Sequence, residues 1–150
     1  MKVKIKLPAG FRYLSKNYNI CSFKSKSPEL DDYIHENSLK WVNDPAHLVI
    51  VLGTKKEIWG LVDLEMYAEY VLIAVLARNI NARSPENIKI GSRLAHLAEN
   101  LCKQLGKKEI RLEAMRDSHD WWNYRMEYRQ YGQKYVDSAF GTLTPKKKLL

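Results

Sequence analysis

Residues 70–77, Tyr-Val-Leu-Ile-Ala-Val-Leu-Ala, and residues 89–93, Lys-Ile-Gly-Ser-Arg, decide the fold of this chain. The first stretch is apolar or aromatic at every position, so it offers no solvent face and reads as a strand in the middle of a sheet covered on both sides. The second opens a run in which Leu94, Leu97, Ala98, Leu101, Cys102 and Leu105 recur at helical spacing, with Gly106 placed for a left-handed cap. The pair is therefore a central strand, a polar loop and a helix start, with Gly91 at the mouth of the helix. First-turn amides have no partner inside a helix and sit at the positive end of its dipole, so this junction predicts a phosphate-binding site.

Outward from this junction the remaining elements follow from local signals. Ser27-Pro28-Glu29 reads as N-cap, first helical position and acidic first turn, and Leu30, Ile34 and Trp41 then share one face up to Asn43-Asp44-Pro45. His47–Leu52 and the alternating stretch from Ile58 to Glu65 predict two antiparallel strands about a turn at 53–56. Asn79–Ile88, containing Pro85, is the longest irregular stretch. Glu109–Met115 alternates and predicts a strand that returns to the same sheet after the crossover helix. Asp117 or Ser118 is placed to cap a last helix carrying Trp121, Tyr124, Tyr128 and Tyr131 on one stripe and ended by Gly132, followed by a final strand from Lys134 to Phe140. Met1–Leu7 alternates Lys with apolar residues and predicts an edge strand rather than a signal peptide.

Composition narrows the class. A length of 150 residues suits one domain with its own core. Lys and Arg outnumber Asp and Glu by 25 to 17, a formal charge of +8. That balance favours polyanionic partners such as RNA and equally a phosphorylated cofactor; charge alone names neither. Cys21 and Cys102 are too few for a disulfide framework, so both are expected as free, buried thiols in a reducing compartment. The eight-residue apolar run is far short of the ~20 residues that span a bilayer, so a cytoplasmic protein without a membrane partner is expected. His35, His47, His96 and His119 lack the paired spacing of a metal site and read as surface or satisfied side chains.

Three local patterns accompany this element order. They are Phe23 with Leu30-Asp-Asp-Tyr33 at the first helix; Glu86, Lys89 and Gly91 leading into Ser92-Arg93-Leu94; and Tyr128-Arg-Gln-Tyr-Gly132-Gln133. Over nearly the whole chain from Phe23 they resemble the GNAT (GCN5-related) N-acetyltransferase family, the first pattern looking like the branch related to aminoacyl-tRNA-acetylating toxins. The chain departs from the family's cofactor signature at Glu86 and Lys89, keeping only its last glycine, Gly91. The resemblance implies an α/β fold with a mixed, mostly antiparallel central sheet of six to seven strands flanked by three to four helices, in a single domain over residues 1–150.

It also implies roles. Acetyl-CoA would be the cofactor, its pyrophosphate held by main-chain N–H groups of Ile88, Lys89, Ile90, Gly91, Ser92 and Arg93. The backbone at Leu76 and Ala77 would hydrogen-bond the pantetheine arm and the thioester oxygen. Tyr128, with Tyr124 in reserve, would protonate the leaving thiolate, a small uphill step from a phenol of pKa ~10 to a thiol of ~8.5. Glu65 or Asp63 would take the proton of the attacking amine. The acceptor is expected to be a primary amine of a macromolecule, aminoacyl-tRNA or protein; a homodimer is left open. Plainer readings stand beside these. The tyrosine stripe also reads as core packing, Glu65 and Asp63 as solvent-facing strand residues, and Trp121-Trp122 as filler between helix and sheet. The alternative functions are a GNAT-like binding module without catalysis and an RNA-binding accessory protein.

Overall fold

The computed structural model describes residues 5–150. Eight strands, β1 (Phe11–Tyr13), β2 (His47–Gly53), β3 (Ile58–Met66), β4 (Val71–Arg78), β5 (Glu109–Met115), β6 (Arg129–Gln130), β7 (Tyr135–Asp137) and β8 (Gly141–Leu149), form one sheet in the order β1-β2-β3-β4-β5-β8-β6, with β7 also on β8. All pairings are antiparallel except β4 with β5, which are parallel and joined through α2 (Ile90–Gln104). The mixed, mostly antiparallel sheet of the sequence reading is present, with β7 and β8 as a hairpin where one final strand was expected.

The sheet is sandwiched. Helix α1 (Pro28–Val42) starts where the sequence places it, with Ser27 Oγ accepting from the Leu30 amide at 3.2 Å, and its Ile34 and Trp41 cover Val49, Val51 and Leu61. On the opposite face Leu94, Ala98, Leu101 and Cys102 of α2 pack on Leu48, Ile50, Val62, Leu64, Ile110 and Leu112. β4 serves both faces through a bulge. Asp63 pairs with Val75 but the next residue, Leu64, pairs with Ile73, leaving Ala74 as the extra residue. A bulge shifts the two-residue alternation by one. Val71 and Ile73 accordingly join the α2 core, whereas Val75 and Ala77 join the α1 core.

Gly60 sets the height of α2 above the sheet. A Cβ there would overlap Ile90 and lie 2.8 Å from Leu94 Cδ1, so only glycine lets the first turn of α2 press onto β3.

Three expectations are corrected. Residues 116–134 are not one helix: a 3-10 turn at Arg116–Ser118 and a π turn at Trp121–Arg125 end at Glu127, whose φ of 64° leaves the helical region, and the chain then pairs as β6. Lys146, Lys147 and Lys148 lie in β8 opposite Leu112, Arg111 and Ile110. Cys21 is exposed; Cys102 is buried as expected. The edge strand is Phe11–Tyr13, Ile5–Leu7 are not in a strand, and the rest of the expected Met1–Leu7 strand, residues 1–4, lies outside the described residues. No helix among the described residues is long and apolar enough to cross a membrane.

Candidate active site

The bulge at Ala74 also opens the sheet. β4 and β5 pair only at Val71–Ile73 with Ile110–Leu112; beyond that β4 turns away, while Glu113–Met115 stay on β8. The wedge between them is a cavity of about 220 Å³ walled by Ala74, Val75, Glu113, Tyr33 and Phe140. Past Leu76, Met115 and Ser118 it continues into a space of about 660 Å³ along Ala77, Arg78 and Trp121, with Ser25–Ser27 opposite. Past Arg78, Gly91 and Trp121 it continues again, into about 480 Å³ at the start of α2. The result is one groove from Glu113 and Phe140 to Lys89 and Arg125.

The α2 end gathers donors and positive charge. Lys89 is the N-cap and makes no side-chain capping bond, so the first-turn amides receive no partner from it. Arg78, Lys89 and Arg125 line this end against a single carboxylate, Glu86. Gly91 differs from Gly60: a Cβ on Gly91 would lie 3.6 Å from the Trp121 ring, an ordinary contact. Packing alone therefore does not require glycine at 91, and what a side chain would fill is the groove itself.

Seven of the eight residues expected to face a cofactor lie along this groove: Leu76, Ala77, Ile88, Lys89, Ile90, Gly91 and Ser92. Arg93 is corrected. Its amide already donates to the Lys89 carbonyl at 3.0 Å, and its guanidinium lies over the Phe11 ring at 5.4 Å. Arg78 and Arg125 were missed. Arg125 lies one turn beyond Trp121, and both residues line the groove at the α2 start.

The two tyrosines expected at the chemistry are elsewhere. Tyr128 is fully buried, donates to Glu99 Oε2 at 3.0 Å and stacks edge-on to Trp122. Burial and the facing Glu99 push its ionisation far above the ordinary phenol range. It is a core residue held by α2, without the access a general acid needs. Tyr124 is 78% exposed on the outside of the π turn.

The phenol at the wedge is Tyr33, from α1, edge-on to Phe140 at 5.6 Å. Burial, then the charges of Asp63 and Glu65, raise its pKa. Asp63, expected to face solvent, is fully buried and accepts from His47 Nδ1 at 2.8 Å, with the imidazole stacked on Trp41. Glu65 is half-buried and accepts from the Tyr67 hydroxyl at 2.8 Å, which pushes Tyr67 up to about 12. Both carboxylates are therefore committed to local partners. Across the wedge, burial raises the Glu113 carboxyl above its usual range against a hydrogen bond from Tyr135. Residue type alone could not single out Glu113, since its place at the opening depends on where β4 leaves β5.

No protein-family model matches the chain, and no curated protein matches it by sequence. Solved structures do match. The PaiA N-acetyltransferase from Thermoplasma acidophilum, in complex with coenzyme A, has a TM-score of 0.63 at 18% identity, covering 83% of this chain and 80% of that one. A Bacillus subtilis acetyltransferase in complex with CoA has 0.63 at 14%, covering 93% and 97%. A GCN5-related N-acetyltransferase from Rhodopseudomonas palustris has 0.62 at 12%, covering 81% and 73%. At these identities the likeness is one of architecture, and the parted β4 and β5 with a helix starting beside them give this chain the fold of the GCN5-related N-acetyltransferases.

Proposed function

We propose that the protein is an acetyl-CoA-dependent N-acetyltransferase that moves an acetyl group to a primary amine. The observation that carries this reading is the unbroken groove from the β4–β5 wedge to the uncapped, cation-lined start of α2. It has the form needed by a ligand with a charged diphosphate at one end and a narrow arm at the other. Two of the structural relatives are described as complexes with CoA.

In this reading the amides of Ile90–Ser92, with Arg78, Lys89 and Arg125, hold the diphosphate. The β4 backbone at Ala74–Ala77, unpaired on the β5 side, orients the arm and offers N–H groups to a developing oxyanion. When bound, acetyl-CoA supplies the thioester carbonyl as electrophile. Glu113 holds the amine and takes its proton, a task favoured by its raised pKa; as the C–N bond forms the C–S bond breaks, and coenzyme A would leave along the groove as a thiolate that takes its proton from solvent. Tyr33 and Phe140 narrow the wedge and exclude water.

The acceptor we assign is the amine of a macromolecule, aminoacyl-tRNA or protein. The charge of +8 supports a polyanionic carrier, and the wedge mouth with Glu113 and Asp137 suits an ammonium head.

Calorimetric titration with acetyl-CoA tests the first half, with micromolar affinity expected. Loss of the thioester in the presence of charged tRNA, peptides or small amines tests the second. Absence of binding heat overturns the reading. Binding without transfer to any acceptor leaves the non-catalytic binding module in its place.

A further inference from the structure

The groove accounts for Ser118, Trp121 and Trp122. Their neighbours Arg116, His119 and Asp120 turn the other way and wall a separate cavity of about 410 Å³, together with Lys134, Thr142 and Thr144. Its lining offers a guanidinium, an ammonium, an imidazole and two hydroxyls against one carboxylate, and that carboxylate, Asp120, already faces His119 Nδ1 at 3.3 Å.

Beneath this cavity lies an anomaly. Lys146 shares its face of β8 with Thr142 and Thr144, is fully buried, and has an ammonium without a hydrogen-bond partner among the described residues. That shared face sets the Lys146 side chain behind the cavity wall; burial lowers its pKa, Asp120 in the wall raises it and Lys134 lowers it. An unpaired buried cation is strongly unfavourable, and an apolar side chain would fill the same place without that cost. What lysine adds is positive potential projected into a solvent-open hollow already lined with donors. An anion seated there offsets the cost.

We propose that this cavity is a second oxyanion site that takes a phosphate group. Arg116, Lys134 and the threonine hydroxyls donate to its oxygens, and Lys146 supplies charge from beneath. A phosphate has acceptors on every side and suits a mixed set of cationic and hydroxyl donors. The site shares only the wall 116–122 with the acetyl-CoA groove, and its assignment does not rest on the transferase reading.

The test is a titration of the full chain with inorganic phosphate at constant ionic strength, with chloride as the control, followed by backbone amide shifts and thermal melting. Saturable shifts at Arg116, Lys134, Thr142 and Thr144 are expected, and Lys134→Ala and Arg116→Ala should each weaken binding about tenfold through loss of a charge-assisted contact. Lys146→Met should weaken phosphate binding while raising the melting temperature of the phosphate-free protein, an effect opposite in sign to that of removing an ordinary core contact. If that variant does not fold, the two surface variants carry the test. Glycerol phosphate and a short single-stranded RNA separate the sources: competition by the first alone assigns a free phosphomonoester, and tighter, salt-dependent binding of the second assigns a nucleic-acid backbone. Shifts that chloride reproduces, or surface variants that bind as wild type, overturn the proposal.

Discussion

At the residue scale, two acidic side chains with opposite fates show how position decides chemistry. Glu99 is buried on α2 and fully employed, accepting from Tyr128 and from Lys148 Nζ at 3.2 Å. Tyr128→Phe removes one of these donors but leaves the charge of Glu99 compensated, so urea denaturation should show a loss of about 1–2 kcal/mol. Acetyl transfer by the folded variant should be unchanged, and a rate loss beyond tenfold would return Tyr128 to the chemistry. Glu113 stands at the wedge with a raised pKa. A carboxyl accepts a proton only when ionised, so the acid limb of kcat/KM should lie above the ordinary glutamate value and should disappear in Glu113→Gln along with most of the rate. The stability effect runs the other way. A raised folded-state pKa means that ionisation opposes folding, so the penalty grows as pH rises through that value. Glu113→Gln should therefore melt no lower than wild type at neutral pH.

At the element scale, two glycines thirty-one residues apart predict different failures. Gly60→Ala forces its methyl into Ile90 and Leu94, and should cost about 1–3 kcal/mol by lifting α2 from β3. Gly91→Ala meets only ordinary contacts within the protein. It should leave the melting temperature nearly unchanged while weakening acetyl-CoA binding, and calorimetry beside thermal melting separates the two. The elements on which these glycines sit were legible in the sequence. α1 and α2 carry clear caps or helical periodicity, and β4 is apolar from Val71 to Ala77 because it lies between two helices. Residues 116–134 were not legible. Tyr124, Tyr128 and Tyr131 stand at helical spacing by coincidence of different environments, since Tyr124 faces solvent while Tyr128 is buried in the core, its backbone N–H donating to the Trp122 carbonyl at 2.8 Å. The Ala74 bulge was equally hidden, because β4 is apolar from Val71 to Ala77 and a one-residue shift leaves no trace in such a pattern. The groove was therefore readable at its α2 end, where main-chain geometry does the work, and unreadable at Tyr33 and Glu113, which meet only through tertiary structure.

At the scale of the whole molecule, several of the cations behind the net charge of +8 have definite places. Arg78, Lys89 and Arg125 gather at one end of the groove. Arg111 is held between the Tyr70 and Tyr131 rings while paired with Glu109, and so serves the sheet rather than a ligand. Acetyl-CoA affinity should therefore fall as potassium chloride is raised, with Arg125→Ala both weakening binding about fivefold to tenfold and flattening that dependence. An affinity indifferent to salt would place the diphosphate away from these three side chains.

The unequal placement of the two thiols has a practical corollary. Cys102 is sealed under α2 with its pKa raised to about 11, chiefly by burial, whereas Cys21 lies on an exposed turn next to Ser22, whose carbonyl accepts from the Asn81 side chain at 3.1 Å. Native protein should thus consume one equivalent of an alkylating reagent, and a second only after denaturation. A fluorophore attached at that single reactive position would sit against the 79–88 segment leading into α2, turning ligand capture at the helix mouth into an optical signal from a wild-type chain.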